Sequence, residues 1–454
     1  MRIYLWQRAR RALVVALVAG LVVTGQAASA SHSGTLALVS AIGGLLYVAG
    51  AIVGSAVYTY WAWGQRARFL VEGVITGKFG MRPRLWRYRR EGSMDHLHWV
   101  MPAGVTLSGL NQSREMFEQA LNRGVDWRYE GGLVHMRVMR GEVPARLGFA
   151  EFYEGQRAEA GELVFGVGMG RGGPMWADLA RLPHLLIGGV PGSGKSVFLR
   201  QMVTRLALAN GPERLRLGFI DLKGGMEMNV FMRLPHRLGP VLREWQACGG
   251  LLEELNAHLD GRQAAFEAAG VVSLGEWNQR HPEATVPYLV LVIDETAELT
   301  AVESPDRAER ASRQAQLASL TRICRLGRAA GVHVVAATQR PDADAVPGQL
   351  KANLPATMAF RVRDQVNSRI LLGDRNPMAA SLPAVPGRGI WQTGDVMAEV
   401  QTPWLDRGEA AELLERAYPP RRPGGTERVT QCPLPPDGDG AELADMPAGA
   451  RVRT

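Results

Sequence analysis

A glycine-rich segment carries the clearest chemistry in this sequence. Residues 189–196 read GVPGSGKS and fit the pattern G-x-x-x-x-G-K-[ST] at every fixed position. The glycines let backbone N–H groups turn inward around a phosphate, and the helix that follows adds the positive end of its dipole. Lys195 can neutralise β- and γ-phosphate oxygens, and the Ser196 hydroxyl is a Mg²⁺ ligand. We therefore predict that ATP and Mg²⁺ bind here. The predicted nucleotide contacts are Gly189, Val190, Pro191, Gly192, Ser193, Gly194, Lys195, Ser196 and Val197.

Two carboxylates follow an apolar run further along the chain. Residues 287–293 read PYLVLVI, as a parallel strand buried on both faces would, and Asp294 and Glu295 come next. A carboxylate at the end of such a strand can hold the hydrated Mg²⁺, a role we predict for Asp294. We predict that Glu295 polarises the attacking water as a general base. The chain is therefore predicted to be an ATP hydrolase.

A second apolar run of the same kind ends beside a polar amide. Residues 331–337 read GVHVVAA and lead into Thr338 and Gln339. Gln339 can sense the γ-phosphate if this strand lies beside the phosphate-binding loop. The alternative is that it belongs to an ordinary loop at the end of a strand.

The surrounding pattern alternates strands with helices. Apolar runs at 185–187 and 215–220 add two strands, and residues 245–269 and 314–328 have helical spacing. Arg322, Arg325 and Arg328 of the second helix share roughly one face. That face either contacts another subunit or DNA or is exposed to solvent. Alternation of this kind predicts an α/β fold with a parallel sheet, helices on both sides and ATP at the carboxyl edge of the strands.

Composition excludes several classes of protein. The chain has 454 residues, 46% of them hydrophobic, and only three cysteines, which lie far apart. A disulfide framework or a zinc site is therefore not expected. The net charge of +8 is concentrated in residues 1–90, where twelve Lys and Arg face a single acid, Glu72. This is not the pattern of a uniformly basic nucleic-acid-binding domain.

The basic N-terminal part of the sequence has the pattern of a membrane anchor. Residues 12–30 and 36–63 are apolar, free of charged side chains and long enough to cross a bilayer as helices. With basic flanks on both sides, the positive-inside rule predicts a hairpin in the plasma membrane with both ends cytoplasmic. Alternatively, the first stretch is a cleaved secretory signal. The arginine-rich run 82–90 is interpreted as a solvated orientation signal, with contact to anionic lipid or DNA phosphate as the alternative.

These features divide the chain into four parts. We predict a membrane anchor at 1–65, a basic juxtamembrane segment and small α+β connector at 66–165, and a motor at 166–416. Residues 161–176 (GELVFGVGMGRGGPMW) are predicted to form a β-hairpin. Residues 417–454 are rich in Pro and Gly and are predicted to be disordered.

Taken together, the motifs resemble the FtsK/SpoIIIE family of membrane-anchored DNA-pumping ATPases. The resemblance covers roughly residues 166–391. It implies a RecA-like motor that forms a ring, usually of six subunits, around double-stranded DNA, with an arginine from the next subunit completing each ATP site. Arg361 and Arg369 are the candidates for that arginine. The collinear motifs are LPHLL at 182–186, IDLK at 220–223 with Glu227 and LPH at 234–236, VIDE at 292–295, RAAGVH at 328–333, ATQRP at 337–341, KANLP at 351–355, AFR at 359–361, SRI at 368–370 and PGRG at 386–389.

The architecture departs from that of the large chromosome-segregating members, which have more membrane helices, a long linker and a winged-helix domain. A compact motor behind a two-helix anchor is more similar to the coupling ATPases of conjugative plasmids and integrative elements. The resemblance therefore implies a DNA translocase in conjugative transfer, with relaxosome or other transfer proteins as partners. The alternatives are a chromosome-segregation pump, a type VII-like protein-secretion ATPase and a nucleotide-binding adaptor that does not hydrolyse ATP.

Overall fold

The computed structural model describes residues 50, 54 and 61–419, with gaps at 92–93, 122, 140, 156–161, 225, 302–303, 375 and 395. The chain divides into two compact units, residues 1–140 and 141–454. The predicted boundary at 165/166 stays a prediction.

No helix in the described part of the chain is both long enough and apolar enough to cross a bilayer. The two predicted membrane spans lie outside the described residues, apart from positions 50, 54 and 61–63. The predicted disordered tail also lies outside them from residue 420 onward.

The first unit is a small α+β structure. A helix over residues 61–79 (α1) and two short helices, Leu107–Gln112 (α2) and Arg114–Leu121 (α3), cover one face of a four-stranded antiparallel sheet of order β1-β2-β4-β3. Leu97, Trp99 and Met136 of the sheet are fully buried against these helices. The strands are β1 (Arg84–Glu91), β2 (Met94–Val100), β3 (Gly124–Glu130) and β4 (Leu133–Met139).

The arginine-rich run differs from its interpretation in the sequence. Most of residues 82–90 form the edge strand β1, which pairs with β2, so the run is part of a sheet, while more than half of the β1 side chains are exposed to solvent. A bulge between Leu85 and Arg87 interrupts the alternation of the strand. Leu85 and Tyr88 face the core, and that burial keeps the run in the sheet despite its charge.

The second unit is built on a nine-stranded sheet. Its order is β6-β5-β13-β12-β11-β7-β10-β9-β8, and the five strands from β11 to β8 are parallel. The strands are β5 (Val164–Gly170), β6 (Gly173–Asp178), β7 (His184–Gly188), β8 (Leu215–Asp221), β9 (Tyr288–Asp294), β10 (Val332–Thr338), β11 (Ala356–Phe360), β12 (Arg388–Thr393) and β13 (Val396–Gln401).

The helices of this unit cover both faces of the sheet. They are α4 (Phe149–Gly155), α5 (Lys195–Ala209), α6 (Trp245–Ala269), α7 (Leu274–Arg280), α8 (Thr296–Thr300), α9 (Arg307–Ala330), α10 (Gly348–Lys351), α11 (Gln365–Leu372) and α12 (Arg407–Ala417). Phe198 and Met202 of α5 belong to one apolar core, and Leu252 of α6 and Leu320 of α9 belong to the other. Every residue of β8, β9 and β10 is therefore buried.

The expectation of a parallel sheet holds for the five central strands and is wrong for the other four. β5 and β6 form the hairpin predicted at 161–176, and β12 and β13 form a second hairpin. A tight turn joins only antiparallel neighbours, because a parallel pair needs a long crossover. The sheet is therefore mixed, with a parallel centre and an antiparallel flank.

The parallel register brings the carboxyl ends of the strands together. Thr338 of β10 lies beside Gly188 of β7, and Asp294 of β9 lies beside Ala337 of β10. The loops that leave these strands therefore start at one edge of the sheet. Ligands of open α/β sheets bind at this edge.

Two buried histidines join β7 and β10 at their start. The backbone N–H of Val334 donates to Nδ1 of His184 (3.0 Å), and Nδ1 of His333 donates to the carbonyl oxygen of Pro183 (2.9 Å). Burial lowers the pKa of His184 to about 3 and that of His333 to about 4. Both histidines are therefore neutral in the folded protein at pH 7.

These depressed pKa values predict loss of stability in mild acid. An unfolded histidine takes up its proton near pH 6.5, so stability is fully present above that pH and falls as the pH approaches 4. We expect the free energy of unfolding in urea to drop by about 1 kcal/mol per histidine between pH 6.5 and 5.5. His333→Asn should show a smaller drop than the wild type. Parallel pH dependence in the two proteins would contradict the assignment.

Candidate nucleotide-binding site

The loop between β7 and α5 forms a tight cradle of backbone groups. Gly192 and Gly194 have φ of 77° and 118°, a range that disfavours L side chains. The Ser193 N–H donates to the carbonyl of Val190 (3.1 Å), and the Val190 N–H donates to the carbonyl of Arg361 (3.0 Å). The loop is therefore fixed both to itself and to the segment after β11.

One glycine of this loop is closed in by a distant part of the chain. A Cβ on Gly194 would lie 2.6 Å from the backbone nitrogen of Gly387, whose N–H donates to the carbonyl of Ser193 (2.8 Å). The loop that leads into β12 therefore supports the phosphate-binding loop from outside.

Lys195 and Asp294 form a buried ion pair at the centre of the site. The Lys195 ammonium donates to one carboxylate oxygen of Asp294, and the two side chains are only 3% and 1% exposed. The other carboxylate oxygen, Asp294 Oδ2, is buried and has no hydrogen-bond partner among the described residues, and the same is true of Ser193 Oγ. Ser196 lies in the first turn of α5 and is partly exposed.

These groups fit a Mg²⁺-nucleotide. The loop has the glycine-rich backbone of phosphate-binding loops, and the orphaned Asp294 oxygen and Ser193 hydroxyl are polar groups that need partners. The roles of Ser196 and Asp294 toward Mg²⁺ and the contacts of the loop with ATP stay predictions.

Glu295 is held in an unusual backbone conformation. Its φ of 68° makes it the single non-glycine residue with positive φ in the described part of the chain, at a cost of roughly 1–2 kcal/mol. One oxygen of the buried carboxylate accepts from the Thr338 hydroxyl (2.8 Å), and both oxygens lie 3.2 Å from the Gln339 N–H. The carboxylate of Glu295 is therefore tied to the end of β10.

The other predicted site residues lie around this centre. The Gln339 side chain accepts from the ammonium of Lys223, which follows β8. Arg361 follows β11 next to the loop, and Arg369 lies on α11; both are exposed and make no side-chain hydrogen bond or ion pair with residues the structure describes. A γ-phosphate role for Gln339, and action of either arginine across an interface, stay predictions.

Arg322 of α9 is engaged within the chain. Its guanidinium donates to Asp260 (2.5 Å) and Asn256 (2.8 Å) of α6. The predicted arginine face of this helix therefore keeps Arg325 and Arg328 as its exposed members.

Two site residues were missed by reasoning from the sequence. Thr338 orients Glu295, and Gly387 supports Gly194. The sequence offers a faint signal for both, since each lies in one of the motifs that carry the family resemblance. Neither contact follows from residue type.

The loop, the buried lysine and the paired acids on a mixed α/β sheet define a P-loop NTPase. The chain contains an FtsK/SpoIIIE family domain, because residues 153–343 match the model of the FtsK/SpoIIIE family. The resemblance drawn from the motifs is thereby confirmed.

Curated relatives support the same family. DNA translocase FtsK of Halalkalibacterium halodurans is 34% identical over 263 residues, which are 54% of this chain and 32% of that protein. DNA translocase SpoIIIE of Bacillus subtilis is 31% identical over 265 residues, with the same two shares. The match thus spans about a third of the length of these relatives.

Among solved structures, the pCW3 conjugation coupling protein TcpA, in its monomer form with ATPγS, superposes with a TM-score of 0.55 and 25% identity. The similarity covers 78% of this chain and 99% of that one. Residues 141–454 make up less than that share of the chain, so the similarity also includes part of the first unit. ATPases 2 and 3 of EssC from Geobacillus thermodenitrificans share the fold, with a TM-score of 0.51 and 16% identity over 61% of this chain and 51% of that one.

The Gly194 contact predicts a sharp difference between two glycines of one loop. Gly194→Ala should weaken binding of a fluorescent ATP analogue at least tenfold, because the new Cβ meets backbone that cannot move away without opening the loop. Gly192→Ala is the matched control: it also has positive φ, but no atom lies within 4 Å of the added Cβ. Equal losses in the two variants would show that the Gly387 contact is irrelevant to binding.

Proposed function

We propose that this protein is an ATP-driven DNA translocase. The arrangement of Lys195, Asp294 and Glu295 at one sheet edge, inside an FtsK/SpoIIIE domain, carries the proposal. The relatives named above, both called DNA translocases, support the coupling of ATP hydrolysis to DNA.

The chain's own groups supply most of the hydrolytic chemistry. Lys195 neutralises β- and γ-phosphate oxygens, and the backbone cradle orients them. Glu295 accepts a proton as the water oxygen bonds to the γ-phosphorus and the bond to the β–γ bridging oxygen breaks, leaving ADP and phosphate. Ser196 and Asp294 would hold Mg²⁺, which when bound offsets the negative charge on the phosphates.

The contacts of Glu295 suggest how hydrolysis is linked to motion. Thr338 and Gln339 bind its carboxylate, and Gln339 also binds Lys223 at the end of β8. A γ-phosphate sensed by Gln339 would therefore act on the base and on the loop after β8 together. We propose that these shifts drive duplex DNA through a ring of six subunits, with Arg361 or Arg369 entering the neighbouring site.

The proposed setting is conjugative transfer at the inner face of the plasma membrane. The similarity to a conjugation coupling protein extends beyond the motor into the first unit, which supports this choice over chromosome segregation. The basic N-terminal ninety residues, with their two apolar stretches, support a membrane anchor. Relaxosome or other transfer proteins are the partners we propose.

Two alternatives have less support. No specific observation favours a protein-secretion motor, since the similarity to EssC, at 16% identity, is one of fold only. A non-hydrolysing adaptor would not need the complete set of Lys195, Ser196, Asp294 and Glu295. Stimulation of ATP hydrolysis by duplex DNA, compared with stimulation by a secreted protein, separates translocase from secretion motor.

Glu295→Gln should abolish hydrolysis while sparing the site. The amide oxygen can still accept from Thr338 and Gln339, but it cannot take a proton from water, so we expect DNA-stimulated turnover to fall about 10²–10⁴-fold. Affinity for ATP should stay within a few-fold of the wild type, as measured by equilibrium binding.

Lys195→Ala is the companion variant. It should lose ATP binding as well as turnover, and it leaves Asp294 buried without its partner, which costs about 3–5 kcal/mol. Wild-type turnover in Glu295→Gln would contradict the assignment of the base. Equal near-zero rates in wild type and Glu295→Gln would favour the adaptor.

A further inference from the structure

The sheet of the first unit has one face that the helices leave open. Leu97, Trp99 and Met136 point to the helices, so the alternate residues of the same strands point away from them. Strand pairing places four of these in one row across the sheet: Arg87 beside His98, His98 beside His135, and His135 beside Arg128. The row crosses three interstrand gaps, about 14 Å.

Three aromatic rings follow one another along this face. The Trp86 ring lies at the bulge of β1, is 61% exposed and meets the His98 ring edge-on at 6.4 Å between centroids. The His98 and His135 rings are 4.5 Å apart, also edge-on. Because the Trp86 ring is exposed and not packed in the hydrophobic core, it offers a surface on which another ring can stack.

Arginine side chains lie on both sides of the three rings. Arg87 and Arg128 close the row at its two ends. Arg89, His96, Arg137 and Asp126 form the row next to it, where Asp126 forms an ion pair with Arg137. Glu130 and Glu91 lie at the rim, within 3.3 Å of Arg128 and 3.8 Å of Arg89. The pKa of His98 is lowered, first by partial burial and then by the groups around it, which are His135, His96, Arg87 and Arg128.

Arginines outnumber the acidic residues on this face, which disfavours a metal cation as the ligand and favours an anionic chain. We propose that the open face, defined by Trp86, Arg87, His98, His135 and Arg128, binds single-stranded nucleic acid. Unpaired bases would stack on the rings while the arginines contact the phosphates, the combination that sequence-tolerant single-strand binding uses. This site is additional to the motor and does not depend on the proposed translocation of duplex DNA.

Two other anionic partners fit the face less well. In a duplex the bases are already stacked on each other, so a duplex would engage the arginines and leave the exposed indole without a partner. An anionic membrane would engage the charges, but its headgroups offer no flat ring for Trp86 and the imidazoles to stack on. The continuous series of rings between the arginines therefore favours unpaired bases.

The test is equilibrium binding of a fluorescein-labelled 20-nucleotide single strand to the full chain, with excess unlabelled duplex present to occupy duplex sites. Trp86→Ala should weaken binding about tenfold or more. Trp404→Ala is the matched control, because this tryptophan is also exposed (52%) but lies in the second unit, and it should bind like the wild type. Both variants should keep the basal ATPase rate.

A second variant tests the phosphate contacts. Arg87→Ala combined with Arg128→Ala should reduce the slope of log affinity against log salt by about 1.4, because each phosphate contact on a single strand contributes about 0.7. The slope of Trp86→Ala should equal that of the wild type, since it removes stacking and no charge.

Three results would overturn the proposal. The first is that Trp86→Ala binds the single strand as tightly as the wild type does. The second is that Trp86→Ala loses duplex affinity and single-strand affinity to the same extent when each is measured alone. The third result is that the arginine variant loses binding to vesicles containing 30% phosphatidylglycerol while keeping single-strand binding, which would assign the face to lipid. Each of these outcomes leaves the ATPase assay, and so the proposed motor function, unaffected.

Discussion

The ion pair between Lys195 and Asp294 is the interaction on which the site depends. Two charges taken out of water are tolerated only when each has a partner, and each of these is almost fully buried. The pair links the first residue of α5 to the last residue of β9, across the intervening strand β10. Every other part of the proposed chemistry is arranged around that link.

The parallel centre of the sheet makes this arrangement possible. Strands that are buried on both faces keep water away from the pair, and their shared direction brings three loops to the same edge. Thr338 at the end of β10 then reaches Glu295, and Thr338 and Arg361 supply the carbonyls that hold the start of the phosphate-binding loop. The antiparallel flank contributes from the other side, through Gly387 against Gly194.

The local parts of this site could be predicted from the sequence. The glycine loop has a fixed spacing, and the runs before Asp294 and Thr338 are apolar enough to be read as buried strands. The contacts of Thr338 and Gly387 could not be predicted, because they depend on which strands become neighbours. β1 was missed for a different reason: the bulge beside Trp86 breaks the alternation that would have revealed an edge strand among the arginines.

The central claim is that a nucleotide held by Lys195 and hydrolysed with the help of Glu295 moves DNA past the protein. The most direct measurement is release of a triplex-forming oligonucleotide from a long duplex by the full chain. We predict release with ATP, no release with ATPγS, and no release by Glu295→Gln with ATP. ATP hydrolysis at one rate with or without duplex DNA, with the triplex left intact, would contradict the account.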